Sequence, residues 1–309
     1  MTMVTFSVVI PCFNCAQTLG DTITSLQNQA VSDWEAICVD DGSTDQTLEI
    51  LERFASQDKR IRVVSQSNSG PSRARNAAAS VANGQYIAFL DSDDLWTPGK
   101  LSSVLAAFME TPHADAVFGR IAFFRTGSDG LTTTSTVRGG KAELDDFLGE
   151  NPVCTLSNLT VKRQSFLAYG GFDENMRFSE DLEWLIRALA AGAHVEGVAD
   201  LHVRYRTSEN GLSADLHAMH DGWRRALAAA NKALSPSKIA SAEAVHLRYL
   251  ARRALRTNAS AGEAWSLLTK GLLLSPVAFL GGRHRGPMTL LGCLLAPLIP
   301  TSLRRRIFA

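Results

Sequence analysis

Residues 86–94 read YIAFLDSDD, an apolar run that ends in three carboxylates. The segment before it, PSRARNAAASVANG (71–84), has a proline at a favoured first helical turn and a glycine as a stop signal. A continuous apolar strand after a helix is typical of a parallel sheet that helices cover on both faces. This stretch therefore predicts an α/β fold.

The same alternation of strand and helix recurs along the first hundred residues. Further strands are predicted at FSVVIP (6–11), EAICVDD (35–41) and IRVVSQ (61–66). Further helices are predicted from about Thr18 to Gln29, Thr44 to Ser56 and Pro98 to Glu110. Such alternation implies right-handed crossovers and a doubly wound sheet, in which ligands bind outside the carboxyl ends of the strands.

The pattern becomes less regular after residue 113. Strands are predicted at 115–124, 157–163 and 194–206, and helices at 182–192, 215–234, 238–257 and 262–274. We expect a first domain at 1–212, made of the halves 1–113 and 114–212. A basic helical region, 213–309, is expected to follow it.

The composition favours a globular protein, since 45% of residues are hydrophobic and 20% are charged. The five cysteines are odd in number and scattered, which indicates reduced thiols in a cytoplasmic compartment. Cys12 and Cys15 form a C-x-x-C without the second pair that a zinc site needs, so we interpret them as packed small residues. No cationic stretch precedes the first apolar run, and no uncharged apolar run of 18 residues occurs, so neither a secretory signal nor a membrane span is predicted.

Charge divides the chain into two parts. Residues 1–201 contain 15 Lys and Arg against 26 Asp and Glu, whereas residues 202–309 contain 16 against 5. The C-terminal part also holds two Leu-rich pieces, GLLLSPVAFLGG (271–282) and PMTLLGCLLAPLIP (287–300), flanked by arginines. This combination predicts peripheral contact with an anionic membrane surface at the inner face of the cytoplasmic membrane. The alternative is a helical subdomain that packs on protein, and no nucleic-acid partner is expected.

Carboxylates follow two of the predicted strands. Asp91, Asp93 and Asp94 repel one another unless a cation lies among them, and their oxygens suit Mg²⁺ or Mn²⁺. Helix capping is the alternative, but it accounts for one carboxylate only. Asp40 and Asp41 are placed to accept hydrogen bonds from a nucleoside. The first strand is not followed by G-x-G-x-x-G, which disfavours a dinucleotide cofactor.

Three segments together resemble the family 2 glycosyltransferases of the GT-A fold, over about the first 100 residues. They are FSVVIPCFN (6–14), CVDDGSTDQTLEIL (38–51) and NSGPSRARNAAASVANGQYIAFLDSDDLW (68–96). The resemblance implies a Rossmann-like doubly wound mixed sheet with a C-terminal helical extension, and a nucleoside diphosphate sugar, often UDP-linked, as donor. It further implies that Asp41 contacts the base, Asp91 the ribose and Asp93 the metal, with Pro11 and Asn14 lining the nucleotide pocket.

A weaker resemblance continues after residue 113, and it implies that 1–113 is the half of the catalytic domain that binds the nucleotide sugar and 114–212 the half that binds the acceptor. GGFDENMRFSEDLEWLIRALAAG (170–192) is similar to the family's acceptor-side segment, which implies that Asp181, next to Glu180, is the general base. The alternative role of these acids is to complement the dipole of the following helix.

Several arginines are candidate phosphate ligands. RYRTSENGLS (204–213) resembles the family's loop that closes over the diphosphate. The resemblance implies that Arg204, Arg206 or Ser213 contacts a phosphate. Many members carry a histidine where Glu209 or Asn210 stands here. Arg73 and Arg75, on a predicted helix start, either contact phosphate or lie on a solvated helix face.

The leading hypothesis is a metal-dependent, inverting glycosyltransferase that acts on a saccharide or a lipid-linked saccharide in cell-surface polysaccharide or glycolipid synthesis. One alternative is a nucleotidyltransferase, but that class usually begins with a Gly-rich basic loop, which IPCFNCAQT (10–18) lacks. A second alternative is a silent nucleotide-sugar-binding or assembly subunit.

Overall fold

The computed structural model describes residues 4–125, 131–207, 215–230, 234–257 and 259–308. The chain divides into two compact units. The first unit comprises Met1–Glu143 and Pro152–Thr207, and the second unit comprises Leu144–Asn151 and Ser208–Ala309. The segment 144–151 therefore groups with the C-terminal helices, although in sequence it falls inside the expected catalytic domain.

A single mixed sheet lies at the centre of the first unit. Its strands in the described residues are β1 (Phe6–Cys12), β2 (Trp34–Asp40), β3 (Ile61–Ser65), β4 (Tyr86–Phe89), β5 (Leu95–Trp96), β6 (Ala116–Phe124), β7 (Leu131–Thr134), β8 (Gly140–Ala142), β9 (Thr160–Lys162) and β10 (Val195–Arg206). The main order is β3-β2-β1-β4-β9-β6-β10-β5, with β7 paired to β6 and β8 paired to β10.

The direction of the strands explains where the sheet can bind a ligand. β1 pairs in parallel with β2 on one side and with β4 on the other, and β2 pairs in parallel with β3. The chain therefore reverses its direction of travel across the sheet at β1, which opens a crevice at the carboxyl ends of β1 and β4. β9 is antiparallel to β4 and β6, so the sheet is mixed, as predicted.

Helices cover both faces of this sheet, and the strands between them are buried. All seven residues of β2 are buried, which matches the continuous apolar run in the sequence. The helices of the first unit are α1 (Leu19–Gln27), α2 (Thr47–Gln57), α3 (Pro71–Ser80), α4 (Lys100–Glu110), α6 (Arg163–Ala168) and α7 (Glu180–Ala190), while α5 (Leu144–Leu148) belongs to the second unit.

Two predicted boundaries differ from the structure for reasons visible in the loops. α2 begins three residues later than expected because 43–46 form a turn that is tied to the loop after β1. Ala16 lies in the loop after β1, and its backbone N–H donates to Oδ2 of Asp45 in the turn at 3.2 Å. The strand expected at 157–163 begins only at Thr160, because Leu156–Asn158 form a 3-10 turn whose N-cap, Thr155, accepts from the backbone N–H of Ser157.

The second unit is helical. Besides α5 it contains α8 (Leu216–Ala228), α9 (Pro236–Arg256), α10 (Ala261–Leu274), α11 (Pro276–Leu280), α12 (Arg285–Leu295) and α13 (Thr301–Phe308). A separate apolar core, which includes Leu250, Leu268 and Phe279, lies among them. In the parts of the chain that the structure describes, we find no helix with the length and apolar character needed to cross a membrane.

Candidate active site

The loops after β1 and β2 are joined by polar contacts. Asn14 has a positive φ of 48°, a conformation that asparagine tolerates better than most residues. Its side-chain Oδ1 accepts from the backbone N–H of Thr44 at 2.8 Å, and its backbone N–H donates to Ser43 Oγ at 3.0 Å. Pro11, one of the last residues of β1, is half-buried. Both residues therefore lie at the predicted edge of the sheet.

Asp41 organises the loop that leads into α3. Its carboxylate accepts from Gln66 Nε2 at 2.7 Å and from the backbone N–H groups of Ser69 and Gly70 at 2.8 Å each. Asp41 and its neighbour Asp40 are both only 4% exposed. An ionised carboxylate has about four acceptor positions, so Asp41 keeps capacity for one more donor.

Arg75 connects two carboxylates from distant parts of the first unit. Its Nη2 lies 2.6 Å from Asp91 Oδ1, after β4, and its Nη1 lies 2.8 Å from Glu180 Oε1, at the start of α7. The Nε of Arg75 is buried and has no hydrogen-bond partner in the described residues. An unsatisfied buried N–H is costly, so an acceptor on a ligand that reached this atom would be stabilised.

The three carboxylates after β4 lie in different environments. Asp94 is fully buried and accepts from the backbone N–H of Arg206 at 3.0 Å and from Thr155 Oγ1 at 3.2 Å. Burial, followed by the charges of Asp93 and Asp91, raises its pKa well above the ordinary value. Asp94 therefore has a structural role. Within the described residues no group of three or more His, Cys, Asp or Glu side chains is arranged to hold a metal.

Asp93 is the carboxylate of this loop that remains open to solvent at one side. Surrounding protein atoms still shield it, and this burial, followed by the Asp91 charge, raises its pKa to about 6. A nearby cation would favour the ionised form and relieve this cost. The oxygen chemistry and the electrostatics of Asp93 thus fit a Mg²⁺ or Mn²⁺ ion.

Glu180 and Asp181 begin α7, after Ser179, whose φ is 60°. Burial raises the pKa of Glu180 to about 7; Arg75 opposes this shift and Asp181 adds to it. The side chain of Asp181 is half-buried. The two adjacent acids at this helix N-terminus thus differ in environment, because the Glu180 carboxylate forms an ion pair with Arg75.

Arg206, the last residue of β10, packs over the carboxylate loop. Its Nε donates to the carbonyl oxygen of Asp93 at 2.8 Å, and its Nη2 lies 3.3 Å from Asp21 Oδ2. Its guanidinium also lies over the ring of Phe124, 4.8 Å from the centroid. The related candidates Glu209, Asn210 and Ser213 lie outside the described residues.

The two arginines of α3 lie in different environments. Arg73 is exposed and pairs with Glu174 at 2.8 Å, as expected for a solvated helix face. Arg75, two residues later, points into the site. The other candidate, Arg204, is exposed and lies over the Phe124 ring at 5.1 Å.

Sequence reasoning missed two residues that shape this site. Lys100 is fully buried, donates through Nζ to the carbonyl of Ser157 and carries a pKa that burial lowers well below the ordinary value, against the influence of Asp94. The Thr155 hydroxyl lies within hydrogen-bond distance of both Asp91 Oδ2 and Asp94 Oδ2, at 3.2 Å from each, and can donate to either. A lysine six residues after an Asp-rich loop was a usable signal, but Thr155 is about 60 residues away and no local pattern indicates it.

The family model "Glycosyl transferase family 2" matches residues 7–170. The teichuronic acid biosynthesis glycosyltransferase TuaG of Bacillus subtilis is 32% identical over 211 residues, which cover 68% of this chain and 81% of TuaG. The poly(ribitol-phosphate) beta-N-acetylglucosaminyltransferase TarS of Staphylococcus aureus is 27% identical over 68% of this chain and 36% of TarS. The chondroitin synthase of Pasteurella multocida is 40% identical over 34% of this chain, but this match spans only 11% of the synthase.

Solved structures share the fold at lower identity. S. aureus TarS 1–349 in complex with UDP-GlcNAc superposes with a TM-score of 0.63 at 19% identity, over 94% of this chain and 90% of that chain. The mannosyltransferase PcManGT from Pyrobaculum calidifontis, in complex with GDP-Man and Mn²⁺, gives a TM-score of 0.62 at 17% identity, over 98% and 83% of the two chains.

Proposed function

Because this chain belongs to glycosyl transferase family 2 and has its GT-A fold, we propose that it transfers a sugar, with inversion, from a nucleoside diphosphate sugar to an acceptor hydroxyl. The observation that carries this proposal is the contact of Arg75 with both Asp91 and Glu180. It brings the nucleotide-side acid and the acceptor-side acids to one crevice. Inverting transfer needs the two substrates on opposite sides of one reacting carbon.

The carboxyl ends of β1, β2 and β4 form the proposed donor side. Asp41 contacts the base and Asp91 the ribose in this scheme, and Asp40 supports the same pocket, which Pro11 and Asn14 line. The donor is proposed to be UDP-linked, as is the UDP-GlcNAc bound to TarS. Support comes from the fourth acceptor position that Asp41 leaves open.

Arg75 and Arg206 are the proposed phosphate ligands. The buried Nε of Arg75 lacks a hydrogen-bond partner that a phosphate oxygen would supply, and Arg206 donates to the Asp93 backbone carbonyl. Asp93 would hold the divalent metal, with Asp91 beside it. When bound, the ion supplies Lewis-acid stabilisation of the negative charge on the departing nucleoside diphosphate.

Asp181 is the proposed general base. The acceptor oxygen forms a bond to the anomeric carbon as the bond from that carbon to the diphosphate oxygen breaks, and Asp181 takes the acceptor's proton. Glu180 does not compete for this role, because its carboxylate is held by Arg75. A positioned base contributes on the order of 10²–10⁴-fold to the rate.

The acceptor is proposed to be a saccharide or a lipid-linked saccharide of a cell-surface polysaccharide or glycolipid. Support comes from TuaG, whose name places it in teichuronic acid biosynthesis, and from TarS, which is named for transfer to poly(ribitol-phosphate). Peripheral membrane contact of the C-terminal region belongs to the same proposal.

A donor panel tests the proposal. Thermal unfolding is followed with UDP, GDP and their sugars, each with Mn²⁺, because a ligand of the native state raises stability by RT ln(1 + [L]/Kd). The sugar nucleotide that stabilises most is then assayed for release of its nucleoside diphosphate with oligosaccharide acceptors. Stabilisation without any turnover across the panel would instead indicate a silent binding subunit.

A further inference from the structure

The second unit contains a positively charged cavity that the proposed transfer reaction does not use. Its volume is about 300 Å³. Arg252 and Arg256 of α9 line one side, and Arg285 and Met288 of α12 line another. The cavity therefore combines guanidinium groups with an apolar wall.

Two of the three arginines that line this cavity have no acidic partner at ion-pair distance among the described residues. Arg252 and Arg256 are four residues apart on one helix, so they lie on the same face. Neither guanidinium has a hydrogen bond or an ion pair with any other described residue, whereas Arg285 pairs with Glu150 at 3.1 Å. Burial lowers the pKa of both Arg252 and Arg256, and the Arg256 charge lowers that of Arg252 further, while Glu150 opposes the shift at Arg252 and Tyr249 opposes the shift at Arg256. A bound anion would relieve this repulsion.

The helix beside the cavity presents an apolar face to solvent. Met288, Leu291, Leu294 and Leu295 of α12 are 55%, 50%, 43% and 39% exposed. The opposite face of the same helix is buried and is made of Thr289, Gly292 and Cys293. An amphipathic helix in water normally shows the reverse arrangement, with its polar face outward. The exposed apolar face of α12 is therefore of the kind that marks a contact with a protein or a membrane.

Other exposed apolar residues flank α12 in the sequence. Leu273, Val277 and Leu298 are each more than three-quarters exposed, at 86%, 85% and 79%. The two Leu-rich pieces noted in the sequence thus both supply outward-facing apolar side chains.

We propose that the second unit binds the phosphate group of an anionic phospholipid in the Arg252–Arg256 cavity, while the outward face of α12 lies among the acyl chains of the same bilayer surface. An anionic lipid offers a negative head next to apolar chains, which matches the cavity and the helix beside it. A second copy of this chain fits less well, because a two-fold contact through this face would bring like-charged arginines together.

Vesicle flotation tests this proposal without donor or acceptor, so its outcome is independent of the transfer reaction. The full chain is mixed with vesicles of phosphatidylcholine alone or with added phosphatidylglycerol. We expect binding to the anionic vesicles, and the double variant Arg252→Gln/Arg256→Gln is expected to weaken it by roughly 30-fold, from about 1 kcal/mol per arginine.

A matched control removes the same charge elsewhere in the second unit. Arg224 and Arg225 are exposed on α8 and do not line the cavity. Arg224→Gln/Arg225→Gln is expected to change binding by less than about threefold, because exposed charges away from the lipid are screened. Leu291→Ser/Leu294→Ser is expected to release the protein in high salt, where the apolar contribution dominates. Circular dichroism confirms that each variant is folded.

Three results would overturn the proposal. The first is that the full chain ignores anionic vesicles at low salt, which would leave α12 to another partner such as a second copy. The second is an equal loss of binding in both arginine pairs, which would indicate diffuse attraction rather than this cavity. The third is thermal stabilisation of the full chain by inorganic phosphate, lost in Arg252→Gln/Arg256→Gln, without vesicle binding; that would make the cavity a site for free phosphate.

Discussion

The guanidinium of Arg75 and the carboxylate of Glu180 are 2.8 Å apart, and their side chains are only 7% and 11% exposed. The two residues are 105 positions apart in the chain. Asp91 takes the other Nη of the same arginine at 2.6 Å, so one buried cation neutralises two acids. Burying such charges is tolerated because each has a partner at hydrogen-bond distance.

Replacing Arg75 with Gln should therefore destabilise the fold and weaken donor binding. The buried carboxylate of Glu180 and the half-buried carboxylate of Asp91 lose their counter-ion, and breaking a buried pair costs about 3–5 kcal/mol. Arg73→Gln is the control, because its exposed pair with Glu174 is worth less than about 1 kcal/mol. Urea unfolding of both variants at neutral pH measures the difference. Equal losses of stability would contradict the structural role of Arg75.

Asp93→Asn should abolish transfer and weaken Mn²⁺-dependent nucleotide binding while leaving the free energy of unfolding nearly unchanged. Asp93 is exposed and its charge is unfavourable without a cation, so the fold does not depend on it. Asp94→Asn should instead lower stability by about 1–3 kcal/mol, since Asp94 is a buried acceptor of backbone and side-chain donors. Calorimetric titration with and without chelator, combined with urea unfolding, separates the two effects. Chelator-insensitive nucleotide binding by the unmodified chain would rule out the metal role.

Asp181→Asn should reduce turnover by roughly two to four orders of magnitude and leave donor affinity unchanged, because the amide cannot accept the proton. Glu180→Gln should be milder, with a loss of about fivefold, if its role is to complement the helix dipole and to hold Arg75. Turnover rates and donor affinities of both folded variants provide the comparison. An active Asp181→Asn beside an inactive Glu180→Gln would reverse the two roles.

Cys15 should react with iodoacetamide at neutral pH, with a rate that rises through about pH 7. A hydrogen bond from the Cys12 thiol is the main cause that lowers the pKa of Cys15 to about 7, against the effect of burial. Cys12→Ala removes this donor and should move the midpoint of the rate upward. Burial raises the pKa of Cys38 to about 12, so Cys38 serves as an internal unreactive control. Mass spectrometry of alkylated peptides as a function of pH measures each site. A Cys15 rate with a midpoint near pH 9 would refute the interaction.

The sequence predicted the alternation of strands and helices in the first hundred residues and the edge of the sheet where polar side chains meet, because both follow from local periodicity. It did not separate Asp93 from Asp94. That difference depends on the backbone N–H of Arg206, which lies 112 residues away, and on Thr155. The sequence did not predict the burial of Lys100 for the same reason, since its hydrogen-bond partner Ser157 lies on a turn far along the chain. The apolar side of α12 was visible as composition, but only the packing of Gly292 and Cys293 showed which face is turned outward.

The shared use of Arg75 has a thermodynamic consequence. Under the proposed roles, a nucleotide that hydrogen-bonds to the Asp91 carboxylate changes the ion pair between Asp91 and Arg75. The electrostatic effect of Arg75 on Glu180 then changes as well. Glu180 has a pKa of about 7, so its proton occupancy near neutrality responds to that change. Linkage is reciprocal, so protonation of Glu180 alters nucleotide affinity by the same factor. The pH of the medium and the occupancy of the donor pocket are therefore thermodynamically coupled.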